Sequence, residues 1–394
     1  MLKTFQFSDI SHTPYQRHIG TASEEIITRD AFNAATTEIT AWEGYKPTPL
    51  HSLESLAAEL GIGDIFYKDE GPRFGLGSFK ALGGAYAAGK VLQRELTKKL
   101  DIPVTLADIR NGRYASEAKE ITLVSATDGN HGRSLAWGAQ RFGATCKIYI
   151  HKGVSEGRAE AMRQLGANVI RIDGDYDASV HLARKEADQN GWFVVSDTSW
   201  EGYVDPPLDV MAGYGVMTNE ITDQLKTPPT HIFLQGGVGG LAASVCSALR
   251  QHWGQDTPRV IIVEPNLAAC LFESARKDTV TTVEINEETM MAGLSCGEPS
   301  PIGWKILREE ASDFIQITDE LVAPSMRLLA NPIGDDPFIE GGESAVAGLA
   351  AVISIALNPK LKDLLGVNEK SKVLVIGSEG ATDKALYEKI MANE

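Results

Sequence analysis

The chain of 394 residues carries only four cysteines, Cys146, Cys246, Cys270 and Cys296, and no CxxC pair. Without that spacing, structural zinc and thioredoxin-like chemistry lose their ligand set. Four reduced thiols in a cytosolic protein are expected, the alternative being a redox-sensitive bridge between Cys270 and Cys296. Positive charge is also scarce: 37 Lys and Arg stand against 53 Asp and Glu, a formal net charge of −16. That balance excludes the broad basic surface needed for nucleic-acid backbones or anionic membranes, though not a local pocket for one phosphate. No uninterrupted apolar run approaches the ~20 residues that span a bilayer. The first residues, Met1 to Asp9, lack the apolar core of a signal peptide. A GxGxxG fingerprint and a Gly-Lys-Ser/Thr loop are missing as well, which sets dinucleotide and P-loop chemistry aside. The expectation is a soluble, cytoplasmic enzyme with no nucleic-acid partner, no membrane partner and no metal. The chain ends soon after Asp383, with no room expected for an appended regulatory domain.

What is present has an α/β rhythm. The hydrophobic and charged shares, 43% and 23%, are those of an ordinary globular enzyme. The length suggests about two or three domains. Short Val- and Ile-rich runs at 65–68, 121–125, 146–150, 168–172, 193–196, 231–235, 260–264 and 373–377 read as strands. Helical segments at 177–190, 209–225, 241–253 and 343–356 alternate with them. Such alternation signals parallel sheets built from βαβ units. Residues 98–118 are polar and weakly periodic, like a surface insertion or lid, and residues 274–303 are irregular.

Four strings carry chemistry. Gly75-Leu76-Gly77-Ser78-Phe79-Lys80 brings one lysine to the start of a small-residue helix. Lysine is the side chain that forms a Schiff base with an aldehyde. A cation at a helix N-terminus faces the positive end of the dipole and is disfavoured unless modified or paired. Gly236-Gly237-Val238-Gly239-Gly240 follows a strand and precedes a helix, the arrangement by which backbone N–H groups cradle a phosphate; a tight βα turn is the plainer alternative. Thr127-Asp128-Gly129-Asn130-His131-Gly132 sits at another strand-to-helix junction. Its amides suit an α-carboxylate and Asn130 suits a phenolic oxygen, while His131 fits a supporting role. Ser378-Glu379-Gly380-Ala381-Thr382-Asp383 follows the final strand; a hydroxyl there meets a pyridine nitrogen or caps a helix.

Together these strings resemble the fold-type II pyridoxal 5′-phosphate (PLP) enzymes, which include threonine and serine dehydratases, threonine synthase and cysteine synthase. The likeness runs from Pro47-Thr48-Pro49-Leu50 to Asp383. It implies two open, twisted, mostly parallel sheets flanked by helices, with the active site in the interdomain cleft. It further implies a large PLP-binding domain of residues 1–88 and 205–394, a small domain of 89–204, and a homodimer. By the match Lys80 forms the internal aldimine, Asn130 faces the phenolic oxygen, and Gly236, Gly237, Val238, Gly239 and Gly240 hold the phosphate. Thr382, or Ser378, faces the ring nitrogen.

One departure narrows the choice. Dehydratases of this group generally have a small residue where this chain has Asp128, and a carboxylate beside a cofactor is costly unless used. TDGNHG, SDTSWEGY at 196–203, AGLSCGEP at 292–299 and SEGATD at 378–383 are similar to the diaminopropionate ammonia-lyases. That family converts 2,3-diaminopropionate, through aminoacrylate, to pyruvate and two ammonia. Two basic groups on strings expected to flank the cofactor suggest Lys80 as base for the L isomer and Asp128 for the D isomer. Thr127, Asp128, Gly129 and His131 would line the substrate. Asp197 reads the second amino group, or serves as a helix cap or turn residue before Trp200. Glu343 approaches the cofactor rim or caps a helix; Trp200 and Tyr203 wall the pocket or pack the core. The alternatives are a threonine or serine dehydratase of the same fold, a β-replacement enzyme, and a PLP-binding protein without turnover.

Overall fold

The computed structural model of the chain describes residues 2–6, 9–127 and 129–392. Two compact units are present: Met1–Arg29, Pro47–Ser78 and Met217–Glu394 form one, and Asp30–Lys46 with Phe79–Val216 the other. Residues 79–88 and 205–216 pack with the smaller unit. The Lys80–Leu100 helix runs on past residue 88 along the Asn130–Phe142 helix. The Asp205–Gln224 helix comes close at Gly213, where a Cβ would stand 2.5 Å from the Leu82 carbonyl oxygen.

The strands in chain order are β1 Ser11–Pro14, β2 Leu50–Ser52, β3 Asp64–Asp69, β4 Thr122–Ala126, β5 Thr145–Ile150, β6 Asn168–Arg171, β7 Phe193–Val194, β8 His231–Gln235, β9 Arg259–Pro265, β10 Ala311–Ile317 and β11 Lys372–Gly377. The larger unit carries a seven-stranded sheet in the order β1-β10-β9-β8-β11-β3-β2, parallel except for its two edge strands. The smaller unit carries the parallel sheet β6-β5-β4-β7. All five residues of β8 are buried, as expected for a central parallel strand covered on both faces. The Ala347–Ala356 helix is buried from Ala347 through Ile355 and packs on β8, β9, β10 and β11. A helix that is apolar on nearly every side, with Ser354 the one polar side chain in it, belongs inside a core.

All the strands read from the sequence are present, with ends moved by up to two residues. Three others were not foreseen. β1 and β2 are short antiparallel edges without a hydrophobic run. β10 conceals a fully buried carboxylate, Asp313, held by His12 Nε2 at 2.8 Å and by Arg259 Nε at 2.6 Å. Segment 98–118 is anchored: Thr105 and Asp108 form a capping box on the Leu106–Arg110 helix, and Val104, Ile109 and Ala118 are buried. The Ala347–Ala356 helix starts later than expected, with Val346 at its N-cap, so Glu343 lies outside it.

Candidate active site

Lys80 is the first residue of its helix, as its glycine-rich approach suggests. The helix has no acidic residue in its first turn and no side-chain cap. Compensation comes from elsewhere in the smaller unit: the Lys80 ammonium forms an ion pair with the Asp197 carboxylate. Burial alone would raise the Asp197 carboxyl, but Lys80, and then His131, outweigh it and hold the group well below the usual carboxylate range. Phe79 and Tyr214, ring centroids 4.7 Å apart, stand beside the pair. Lys80 Nζ lies 5.4 Å from the Phe79 centroid and 6.0 Å from that of Tyr214, within cation–π range.

The loop that carries Asp197 is fixed by an aromatic brace. The Tyr203 hydroxyl donates to the Val194 carbonyl and accepts from the Ser196 N–H, both at 2.9 Å. Its ring stacks on Trp200 with centroids 3.8 Å apart, and the Arg184 guanidinium lies 3.6 Å from the Trp200 centroid. Asp197 caps no helix. His131 is buried, with Nε2 2.8 Å from the Val195 carbonyl oxygen and Nδ1 3.9 Å from Asp197. Burial lowers its pKa, against the pull of Asp197, which favours a neutral ring. Asn130 opens the Asn130–Phe142 helix. The Thr127 hydroxyl accepts from the Gly129 and Gly132 amides at 3.1 and 3.3 Å, so those two amides are committed to shaping the turn. Asp128 lies outside the described residues.

In the larger unit the 236–240 loop joins β8 to the Gly240–Trp253 helix. Gly237 and Gly239 have φ of +56° and +94°, a backbone region that favours glycine. At Gly236 a Cβ would stand 2.5 Å from Glu264 Cγ. Gly239 occupies the N-cap position, and no side chain caps the helix. The helix N-terminus that the loop opens onto carries no side-chain cap, so its first amides are available to an anion. Glu264, behind it, receives the Leu271 and Phe272 amides at 3.0 and 2.7 Å. Burial pushes its carboxyl up to about 8 despite those bonds.

Ser378 is buried just after β11, and Thr382 is half-buried. The cap of the last helix, Lys384–Ala392, is Asp383, whose Oδ1 accepts from the Leu386 amide at 3.2 Å. Both hydroxyls are thereby spared that task. The larger unit also holds a buried charge cluster not singled out in the sequence. Arg73 makes bidentate bonds of 2.7–2.8 Å to both Glu70 and Glu220, and Lys68 bonds Glu220 at 2.8 Å.

The sequence model of the family described as "Pyridoxal-phosphate dependent enzyme" matches residues 41–379. The chain is similar to diaminopropionate ammonia-lyase of Escherichia coli K12, with 41% identity over 354 residues, 88% of each protein. Its structure is similar to that of the selenomethionine-labelled holo Escherichia coli enzyme, with a TM-score of 0.89 and 36% identity over 98% of this chain and 97% of that one. The same enzyme in complex with an aminoacrylate-PLP azomethine reaction intermediate gives a TM-score of 0.87 at the same identity and coverage. A lysine set at a helix start, a glycine loop between strand and helix and this likeness along the whole length agree: the chain belongs to the pyridoxal-phosphate-dependent enzymes of fold type II, within the diaminopropionate ammonia-lyase family.

Proposed function

We propose that this chain is a PLP-dependent carbon–nitrogen lyase that eliminates one ammonia from 2,3-diaminopropionate, the released aminoacrylate then being hydrolysed by water to pyruvate and a second ammonia. The ion pair between Lys80 and Asp197 carries the reading. A carboxylate held ionised against an ammonium is suited to receive a second ammonium, which a diamino acid has and threonine or serine lacks.

Lys80 would hold the cofactor's aldehyde carbon, the Gly236–Gly240 amides its phosphate, Asn130 its phenolic oxygen, and Thr382 or Ser378 its ring nitrogen. Bound there, the cofactor supplies an electron sink for the charge left at Cα. The residues do the rest. Lys80 Nζ, once neutral, takes the Cα proton of the L isomer. Asp197 orients the β-ammonium as leaving group. The 127–132 turn faces the substrate carboxylate. Asp128 takes the Cα proton of the D isomer. Trp200 and Tyr203 hold the Asp197 loop in place. The same reading takes the protein as a cytoplasmic homodimer, for which light scattering should report twice the chain mass of 42.5 kDa.

The test is to incubate PLP-loaded protein with L- and D-2,3-diaminopropionate, L-threonine, and L- and D-serine, and to measure keto acid and ammonia. Pyruvate with two equivalents of ammonia, formed fastest from diaminopropionate, is expected. Faster 2-oxobutyrate from threonine would move the chain to the second reading, a dehydratase of the same fold.

A further inference from the structure

The two ring nitrogens of His131 are placed differently. The residue is the second of the Asn130–Phe142 helix and is 6% exposed. Its Nε2 lies 2.8 Å from the Val195 carbonyl oxygen. A carbonyl only accepts, so Nε2 carries a proton. Nδ1 is buried and makes no hydrogen bond among the described residues. The charged groups that act on the ring are Asp197, from the loop after β7, and Lys80, from the Lys80–Leu100 helix. Burial, and then Lys80, keep the ring neutral against the pull of Asp197. The positive end of its own helix works in the same sense. Nδ1 is therefore a bare lone pair in a buried place, a cost that calls for a reason.

That lone pair stands 3.9 Å from Asp197 Oδ2, the same oxygen that pairs with the Lys80 ammonium. Two acceptors at this separation can be bridged by one ammonium, with an N–H bond of ordinary length to each. A hydroxyl brings a single proton and satisfies one of the two, leaving the other bare. In the proposed function Lys80 is engaged at the cofactor, and the substrate brings the next ammonium to this place. We propose that His131 Nδ1 and Asp197 Oδ2 together seat the β-ammonium of the substrate, with His131 a specificity residue that accepts one of its N–H bonds. The inference deepens the proposed function and rests on diaminopropionate being the substrate. It divides between a histidine and a carboxylate the task of telling an amine from a hydroxyl.

The test uses the PLP-loaded, full-length protein and two variants that divide the roles of the two nitrogens. In His131→Gln the side-chain N–H can reach the Val195 carbonyl as Nε2 does, and nothing accepts at the Nδ1 position. In His131→Asn the side-chain oxygen can stand near the Nδ1 position, and the bond to Val195 is lost. The readouts are kcat/KM for L-2,3-diaminopropionate, the affinity of L-serine as substrate or competitive inhibitor, PLP content by absorbance, and melting temperature. His131→Gln should lose at least about tenfold in kcat/KM for diaminopropionate, mainly through KM, and hold serine within about twofold. Its PLP content and melting temperature should stay near those of wild type. His131→Asn should melt lower and yet keep more of the preference for diaminopropionate over serine than His131→Gln does. No loss in His131→Gln, equal losses for the two amino acids, or a preference that simply follows melting temperature would each overturn the inference and leave the lyase reading standing. Failure of wild type to release ammonia from diaminopropionate would overturn both.

Discussion

The Lys80 ammonium and the Asp197 carboxylate, 117 positions apart in sequence, meet as an ion pair inside one compact unit. Because Asp197 is held well below the usual carboxylate range, it stays ionised wherever the protein is folded and active. The stability it lends is present above the ordinary aspartate range and is lost only as pH falls through the depressed value. A limb of the activity profile near neutrality therefore belongs to another group. Replacing Asp197 by Asn keeps the shape and removes the charge. The expected loss in kcat/KM for diaminopropionate is roughly 100-fold, with a much smaller loss for serine. Equal losses for the two substrates would remove Asp197 from amine recognition.

Asp128 gives a stereochemical prediction. Asp128→Asn should lower turnover of the D isomer by roughly 100-fold or more, the usual worth of a general base, and leave the L isomer within a fewfold. Separate progress curves for the two isomers decide it. Wild-type rates on both would remove Asp128 as a base.

The glycine loop predicts a defect in cofactor retention. A Gly236→Ala side chain would press on Glu264 Cγ at 2.5 Å and displace the loop. The dissociation constant for PLP, read by equilibrium dialysis, should rise at least about tenfold, the worth of one distorted hydrogen bond or two. Unaltered retention would mean that the loop does not hold the phosphate.

Glu264 predicts a pH slope in stability. Its carboxyl is raised by burial to about 8, so the folded state binds its proton more tightly than the unfolded chain does. The associated stability is fully present below the ordinary glutamate range and is lost as pH rises through about 8. Urea midpoints should therefore fall between pH 5.5 and pH 8.5 more steeply in wild type than in Glu264→Gln. The variant should be less stable at the lower pH, because it keeps only one acceptor oxygen for the two amides. Parallel slopes would contradict the assignment.

The parts of the site written in local sequence were legible there. Gly75 to Lys80 gives a lysine at a helix start, and Gly236 to Gly240 gives a turn between strand and helix, because each depends on residues adjacent in the chain. The pairing of Lys80 with Asp197 was not legible, since it depends on how the end of β7 packs beside the start of the Lys80 helix. Tyr214 was missed for the same reason. Its signal was the glycines on either side, Gly213 and Gly215, which permit close helix contact at Leu82 and Phe32. In the fold, β10 was hidden by Asp313, whose polarity breaks the apolar run and is offset by His12 and Arg259, distant in sequence.

The strand order sets a schedule for synthesis. β11, the last strand, lies between β8 and β3, pairing Lys372 with Asp64 and Gly377 with Asp69. The four strands of the smaller unit, by contrast, follow one another from Thr122 to Val194. On the ribosome the smaller unit can complete its sheet while the larger one still lacks an inner strand. A chain that stalls before Lys372 would leave two hydrogen-bonding edges open, β3 on one side and β8 on the other, each able to recruit a foreign strand. The strand that joins the two flanks of the larger sheet is made only after all its neighbours, so those flanks wait unpaired for it.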